Sequence, residues 1–213
     1  MGHFLAATAF HSESTHEVVQ AISTFLRTYE VKHELLSGAA SLNDDTDAQV
    51  FEPARGWVVV LWPKYFNIHD FPLAKEIAEA RSWLVSTVHV YDGDYWEHLA
   101  VLGARELHSH CSRPSYWQDE PAELERMAHF NSAPEALAQV VKVPVTSLQP
   151  YLVDAEATDE DAMAHAEDQF PLSDIWVFTD FWRRLGIVYP EPPESPAAVV
   201  RLSKWFGKRL PQT

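Results

Sequence analysis

The order of patterns along this sequence predicts an α+β fold, a ferredoxin-like antiparallel sheet with packed helices followed by a helical C-terminal region. Three observations lead there. Two strand-then-helix patterns open the chain, closely spaced hairpin signals follow, and beyond Pro114 the apolar residues recur at helical spacing with prolines at the joints. At 213 residues the chain is long enough for one large domain or a domain with a helical appendage. The expected division is a sheet domain over 1–117 and a helical region over 118–213 packed on it.

Phe4 to Phe10 reads as the first strand. Ser14-Thr15-His16-Glu17 has the spacing of a capping box, and Val18, Ile22, Phe25, Leu26 and Tyr29 then recur on one helical face, which predicts a helix over 15–29. Asn43 to Asp47 reads as a solvated loop. Trp57 to Trp62 is a continuous β-branched and aromatic run closed by Pro63, the pattern of a buried strand. Pro72 starts a second helix, with Leu73, Ile77, Ala80 and Leu84 as its buried face. Ser86–Tyr91, Tyr95–Leu102 and Arg105–Cys111 form a meander, with Asp92-Gly93 making the first turn and Gly103-Ala104 the second. In the second half, Ser132-Ala133-Pro134-Glu135 repeats the capping-box spacing ahead of Leu137, Val140 and Val141. Ile175, Phe178, Trp182 and Leu185 form an apolar stripe ended by Gly186, and Ser195-Pro196 opens a last helix carrying Val199, Leu202 and Phe206.

The totals narrow the functional classes. Hydrophobic residues are 46% and charged residues 22%, the proportions of a chain with a real core. The formal net charge is −15, which works against tracking nucleic-acid phosphates or binding anionic membranes, and favours encounter with a basic partner. The acid is concentrated: from Asp119 to Asp168 there are 12 acidic and two basic residues, whereas from Arg183 onward there are six basic and two acidic ones. One cysteine, Cys111, permits neither an internal disulfide nor a thiolate cluster. The N-terminal segment lacks the pattern of a signal peptide, Ala6 stands where myristoylation wants Ser or Thr, and no apolar run approaches the roughly 20 residues of a membrane span. A cytoplasmic location is the expectation, with neither membrane nor nucleic acid as partner.

No residue pattern carries specific chemistry. The phosphate-cradling glycine motifs, the nucleophile elbow and His-Glu-x-x-His are all absent, and no cofactor is expected. His108 and His110, two apart on a strand, share a face, and His89 and Glu97 on the neighbouring strands make them a candidate His/Glu cluster for a metal or a ligand. The contrary expectation is a wet sheet face, with Val88, Val90, Leu107 and Cys111 on the other side. Cys111 reads as a small core residue rather than a nucleophile. Asp92 and Asp94 flank Gly93 as turn residues rather than as an acid–base pair. The spacing over 136–152 has a faint helix-turn-helix look, but Lys142 is its one basic residue.

The expectation for function is therefore a non-enzymatic binding protein, most concretely an acidic inhibitor of the immunity or antitoxin kind, aimed at a basic protein. Tyr91, Asp92, Asp94, Tyr95 and Trp96 at the hairpin, with Glu156, Asp159, Glu160 and Asp161, are its candidate partner-binding residues. One alternative is a metal- or ligand-binding enzyme using His89, Glu97, His108 and His110 in a concave site. Another is an assembly subunit with an exposed apolar stripe over Ile175–Leu185.

Overall fold

The structure is a computed structural model that describes residues 4–37, 41–63, 72–117, 119, 131–190 and 194–203. Its elements are β1 (Leu5–His11), α1 (Thr15–Thr28), β2 (His33–Ser37), β3 (Asp47–Val50), β4 (Trp57–Leu61), α2 (Pro72–Arg81), β5 (Leu84–Tyr91), β6 (Tyr95–Leu102), β7 (Arg105–Cys111), α3 (Glu135–Val141), α4 (Val177–Arg184) and β8 (Ala198–Leu202). Among the described residues the strands form one sheet in the order β2-β8-β3-β4-β1-β5-β6-β7, and every neighbouring pair is antiparallel. The molecule is broadly α+β. No described helix is long and apolar enough to cross a membrane.

Both faces of the sheet are covered. Successive side chains of a strand point to opposite faces, so each central strand feeds two cores. Ala6, Phe10, Val58, Val60, Val85 and Val101 face one way, under Val18, Ile22 and Leu26 of α1 and Leu73 and Ile77 of α2. Ala7, Ala9, Val59, Val88, Val90 and Trp96 face the other way, under Leu137 of α3 and Phe178, Phe181 and Trp182 of α4. This is why β4 reads as an unbroken apolar run rather than an alternating one.

Local chemistry explains most boundaries. Ser14 caps α1, its hydroxyl accepting from the Glu17 N–H at 3.2 Å. Asp92 and Gly93 both adopt positive φ, 53° and 80°, and the Asp94 N–H donates to the Tyr91 carbonyl at 2.9 Å, closing the β5–β6 turn. Gly186, at φ 81°, ends α4: Ile187 N–H donates to the Trp182 carbonyl and Gly186 N–H to the Arg183 carbonyl, the paired bonds of a Schellman motif.

Several expectations are corrected. Residues 198–202 form a strand instead of the last helix, because β8 lies between β2 and β3 and its backbone groups are taken up by those ladders; Phe206 lies outside the described residues. Asp47 is not in a solvated loop but begins β3 and is buried. The buried face of α2 is Leu73, Ala74, Ile77 and Ala78; Ala80 is exposed and Leu84 belongs to β5. Ser132 does not cap α3. Its hydroxyl accepts from the Ser109 N–H, its own N–H donates to the Ser109 carbonyl, and the Asn131 side chain accepts from the Cys111 N–H. These two residues cover the backbone of β7, an edge strand that would otherwise offer its bonds to another chain. Phe178, Trp182 and Leu185 of the apolar stripe are in the core, whereas Ile175 precedes α4 and is half-buried.

One ion pair ties the late strand to the early ones. Asp47 of β3 stands directly opposite Arg201 of β8, and the guanidinium holds both carboxylate oxygens, at 2.8 and 2.7 Å. The same carboxylate accepts from the Asn43 N–H and the Thr46 hydroxyl. The guanidinium holds the Asp47 carboxyl below its usual range. The pair therefore stabilises the fold above about pH 4 and its contribution is lost as pH falls further. Asp47→Asn is expected to lower the unfolding free energy by about 1–3 kcal/mol at neutral pH in urea denaturation; an unchanged midpoint would show that β8 docks without the pair. In the opposite layer, Phe181→Ala is expected to cost about 3–5 kcal/mol by the same measurement. A loss below about 1 kcal/mol would mean that this layer collapses around the vacancy.

Candidate functional site

The hairpin that joins β5 to β6 was the first candidate surface, and the structure divides its residues. Tyr91 and Tyr95 lie opposite each other and their rings stack, with centroids 5.6 Å apart. Tyr116 packs on both, 5.9 Å from Tyr91 and 5.0 Å from Tyr95, and Phe4 meets Tyr91 edge-on. Within this group Tyr95 is buried while Tyr91 and Tyr116 are half-buried. Trp96 points to the other face, against His110 and Phe181, and is also buried. Tyr95 and Trp96 are thus core residues, not surface anchors. The cause is the period of the strand: once β5 to β7 are covered on both sides, neither face leaves a large aromatic at the surface.

The acidic residues of the hairpin do reach solvent, and the fold adds to them. Asp92 and Asp94 are exposed, as are Glu156, Asp159, Glu160 and Asp161. Arg113, just past β7, bridges two of these segments: its Nε is 3.1 Å from Glu156 and its NH1 is 3.9 Å from Asp94. Ser115 donates to the same Glu156 carboxylate. Burial and the nearby Asp94, Tyr91 and Asp92 push the Tyr116 phenol up, so it stays neutral beside the acidic tip. Residues more than 60 positions apart in sequence therefore share one face, with two acidic segments around one arginine and two half-exposed tyrosines.

The His/Glu cluster does not assemble. His89 lies opposite Glu97, and Glu97 lies opposite Cys111, so these three share the face covered by α1 and α2. His110 lies opposite His98, and His108 opposite Ala100, so His108 and His110 share the other face with Val88 and Val90. The register set by the two turns separates the expected four ligands by the thickness of the sheet. A bulge at Ala100/Val101 leaves Leu107 out of the pairing, and Leu107 packs on the same side as His108. Nor is that face wet: His89, Glu97, His108 and His110 are all buried. Among the described residues no group of three or more His, Cys, Asp or Glu is arranged to hold a metal ion. Cys111 is buried, as a small core residue would be.

In place of the expected cluster, three buried imidazoles share one face: His108, His110 and His98, the last not among the expected ligands. His98 Nδ1 and His108 Nδ1 are 3.0 Å apart, His98 Nε2 is 2.8 Å from the Ser86 hydroxyl, and Phe181 of α4 roofs both rings. Burial drives all three pKa values down: His98 well below its usual value, His108 to about 4 and His110 to about 3, with the neighbouring imidazoles adding to the effect on His98 and His110. Burial keeps the three rings neutral at pH 7, where they pack against Trp96 and Phe181. The signal was available in principle, since counting back from the Gly103 turn places His98 beside His110, but only if the bulge is known.

A second network holds the irregular segment between α3 and α4, again without an obvious sequence signature. The buried Asp168 carboxylate accepts from the Tyr151 hydroxyl at 2.7 Å, from the His165 N–H at 3.0 Å, and from Arg183 and Arg184 at 3.1 and 2.8 Å. Asp180, also buried, accepts from the Gln169 and Phe170 N–H groups and pairs with Arg183 at 2.8 Å. Every one of these partners belongs to the same layer, so the network fastens a loop.

Compared with family models, with curated proteins and with solved structures, the chain matches none of them.

The three buried imidazoles give a pH dependence of definite sign. An unfolded chain protonates these histidines near pH 6.5, while the folded chain resists down to about pH 4 at His108. Between those values the unfolded state binds more protons, so stability falls as pH is lowered. From pH 6.5 to 5 the expected loss is on the order of 2 kcal/mol for His108. Urea midpoints measured across this range for the natural chain and for His108→Gln test it: the substitution should reduce the slope, and equal slopes would rule His108 out as a contributor.

Proposed function

We propose that the protein is a non-enzymatic binding protein whose acidic face recognises a basic protein, in the manner of an immunity- or antitoxin-type inhibitor. The observation that carries the proposal is the convergence of the hairpin tip, Asp92 and Asp94, with Glu156 about Arg113, beside the half-exposed Tyr91 and Tyr116. Asp159, Glu160 and Asp161 extend the acid along the following turn. Opposite charge speeds encounter, and partly exposed aromatics beside it are suited to the contacts that hold a complex. The net charge of −15 favours the same class of partner. In a reducing compartment such as the cytoplasm the lone buried Cys111 stays a thiol.

We read the scaffold of this face as a ferredoxin-like unit that has been widened. The units β1-α1-β3 and β4-α2-β5 occupy the order β3-β4-β1-β5 with both helices on one side, which supports that reading; β6 and β7 extend one edge, β8 and β2 the other. The hairpin tip belongs to the extension.

Affinity capture from extracts of the source cells, run in parallel with the natural chain and with Asp92→Lys/Asp94→Lys/Glu156→Lys, tests the proposal. The natural chain should retain a basic protein that raised salt releases, and the charge reversals should weaken retention by about tenfold or more. Recovery of the same proteins in equal amount by both chains would sink the assignment of this face.

A further inference from the structure

The sheet has two edges, β7 and β2, and the fold treats them differently. At β7 the Asn131 side chain and Ser132 take up backbone groups of Cys111 and Ser109. At β2, among the described residues, nothing pairs with the outer side of the strand. An edge left open in this way is a template for another chain.

The register says which of its groups are open. The Ser203 N–H donates to the Lys32 carbonyl at 3.0 Å, so the backbone groups of Lys32 turn toward β8. Direction alternates along an antiparallel strand, so Glu34 and Leu36 also turn theirs toward β8, while His33, Leu35 and Ser37 turn theirs away. The Leu202 N–H has the matching phase, for it donates to the Thr46 carbonyl on the β3 side. β2 therefore presents the N–H and C=O of His33, Leu35 and Ser37 as an evenly spaced row centred on Leu35. The side chains do not guard that row. Leu35 is 56% exposed, the most of any large apolar residue among those described. Glu34, the one carboxylate of the strand, lies opposite Arg201 of β8.

We propose that a second copy of the chain adds to this edge, β2 against β2, about a two-fold axis at Leu35. Centred there, Leu35 exchanges both backbone bonds with Leu35 of the second copy, and His33 and Ser37 exchange theirs with each other across the axis. Every open group of the row is then used. Moving the axis to Glu34 or Leu36 leaves part of the row unpaired, and at Glu34 it also sets two carboxylates face to face. The two Leu35 side chains meet on the sheet face they share with Val200, under which α1 packs, and cover each other. A foreign strand would fill the same groups but bring an outer edge of its own, whereas a second copy brings the same open edge and the pair closes. The acidic hairpin tip does not oppose this union. It lies five strand spacings away, roughly 24 Å, well beyond the screening length at physiological salt. The pairing is independent of the partner-binding face and stands whether or not that face binds a protein.

Sedimentation velocity of the full chain over a concentration series, up to millimolar, should show a monomer–dimer equilibrium with no larger species. Leu35→Lys and Leu35→Pro should each weaken the dimer by about tenfold or more. The proline removes an N–H that β8 does not use, so the ladder to β8 is spared. Met163→Lys, a similar change at an exposed position of the opposite layer, should leave the equilibrium unaltered. Mild oxidation reads the register. Leu35→Cys should give a covalent dimer, since directly opposed residues of this kind have Cα atoms about 5.5 Å apart. His33→Cys should not, because its two copies lie four residues apart along the strands, about 13 Å. A natural chain that stays monomeric throughout leaves the edge to another occupant and overturns the proposal without recourse to any variant. A dimer indifferent to both Leu35→Lys and Leu35→Pro, each checked for folding by circular dichroism, also overturns it, as does cross-linking of His33→Cys as fast as that of Leu35→Cys.

Discussion

Everything else in this molecule depends on the sheet being buried on both faces. An antiparallel sheet commonly leaves one side to water, and its strands then alternate apolar with polar residues. Here α1 and α2 take one side while α3, α4 and the irregular chain between them take the other. A strand in that position must be apolar at every residue or must pair its polar groups internally. β4 follows the first course with Trp57-Val58-Val59-Val60. β5 follows the second, with partners on β1 and β6. Thr8 and Thr87 share a hydrogen bond of 2.8 Å across β1 and β5, the Trp62 indole donates to the same Thr8, and Ser86 serves His98. Polar residues that would mark a wet face in a two-layer protein are internal mortar in a three-layer one.

The same constraint separates what sequence could disclose from what it could not. The helix α1 and the β5–β6 hairpin are legible because their determinants are local: a capping serine with an apolar period, and an Asp-Gly pair able to take positive φ. The end of α4 is legible for the same reason, since Gly186 alone permits its closing bonds. β8 is not. Val199 and Leu202 satisfy a helical spacing as well as a strand, and what decides between them is Asp47 and its ladder, some 150 residues earlier. The histidines failed differently. Their identity and their strands were read correctly, but whether His108 meets His89 or His98 turns on register, on one bulge, and on Phe181 arriving from a distant helix. Of the proposed contact residues, the carboxylates are where polarity alone would put them, while Tyr95 and Trp96 were drawn inside by the second layer.

Charge is gathered by the fold as well as along the chain. The hairpin end of β5 and β6 carries Asp92 and Asp94, and Arg113 brings Glu156 to them from more than 60 residues away. The acidic excess in sequence is thus only a coarse account of where the carboxylates meet.

The place of β8 bears on how the chain reaches this state. A strand from residues 198–202 inserted between β2 and β3 makes the contacts of that edge among the most distant in sequence, and such topologies form slowly because loop closure precedes any reward. Without β8, β3 would be an open edge of the sheet, inviting pairing with a neighbouring chain. Asp47 would stand at that edge as a bare carboxylate, and a charge at a strand edge is a known deterrent to strand addition. One carboxylate thus has a use with either occupant of the edge: with water it is a guard, and with Arg201 it is a lock.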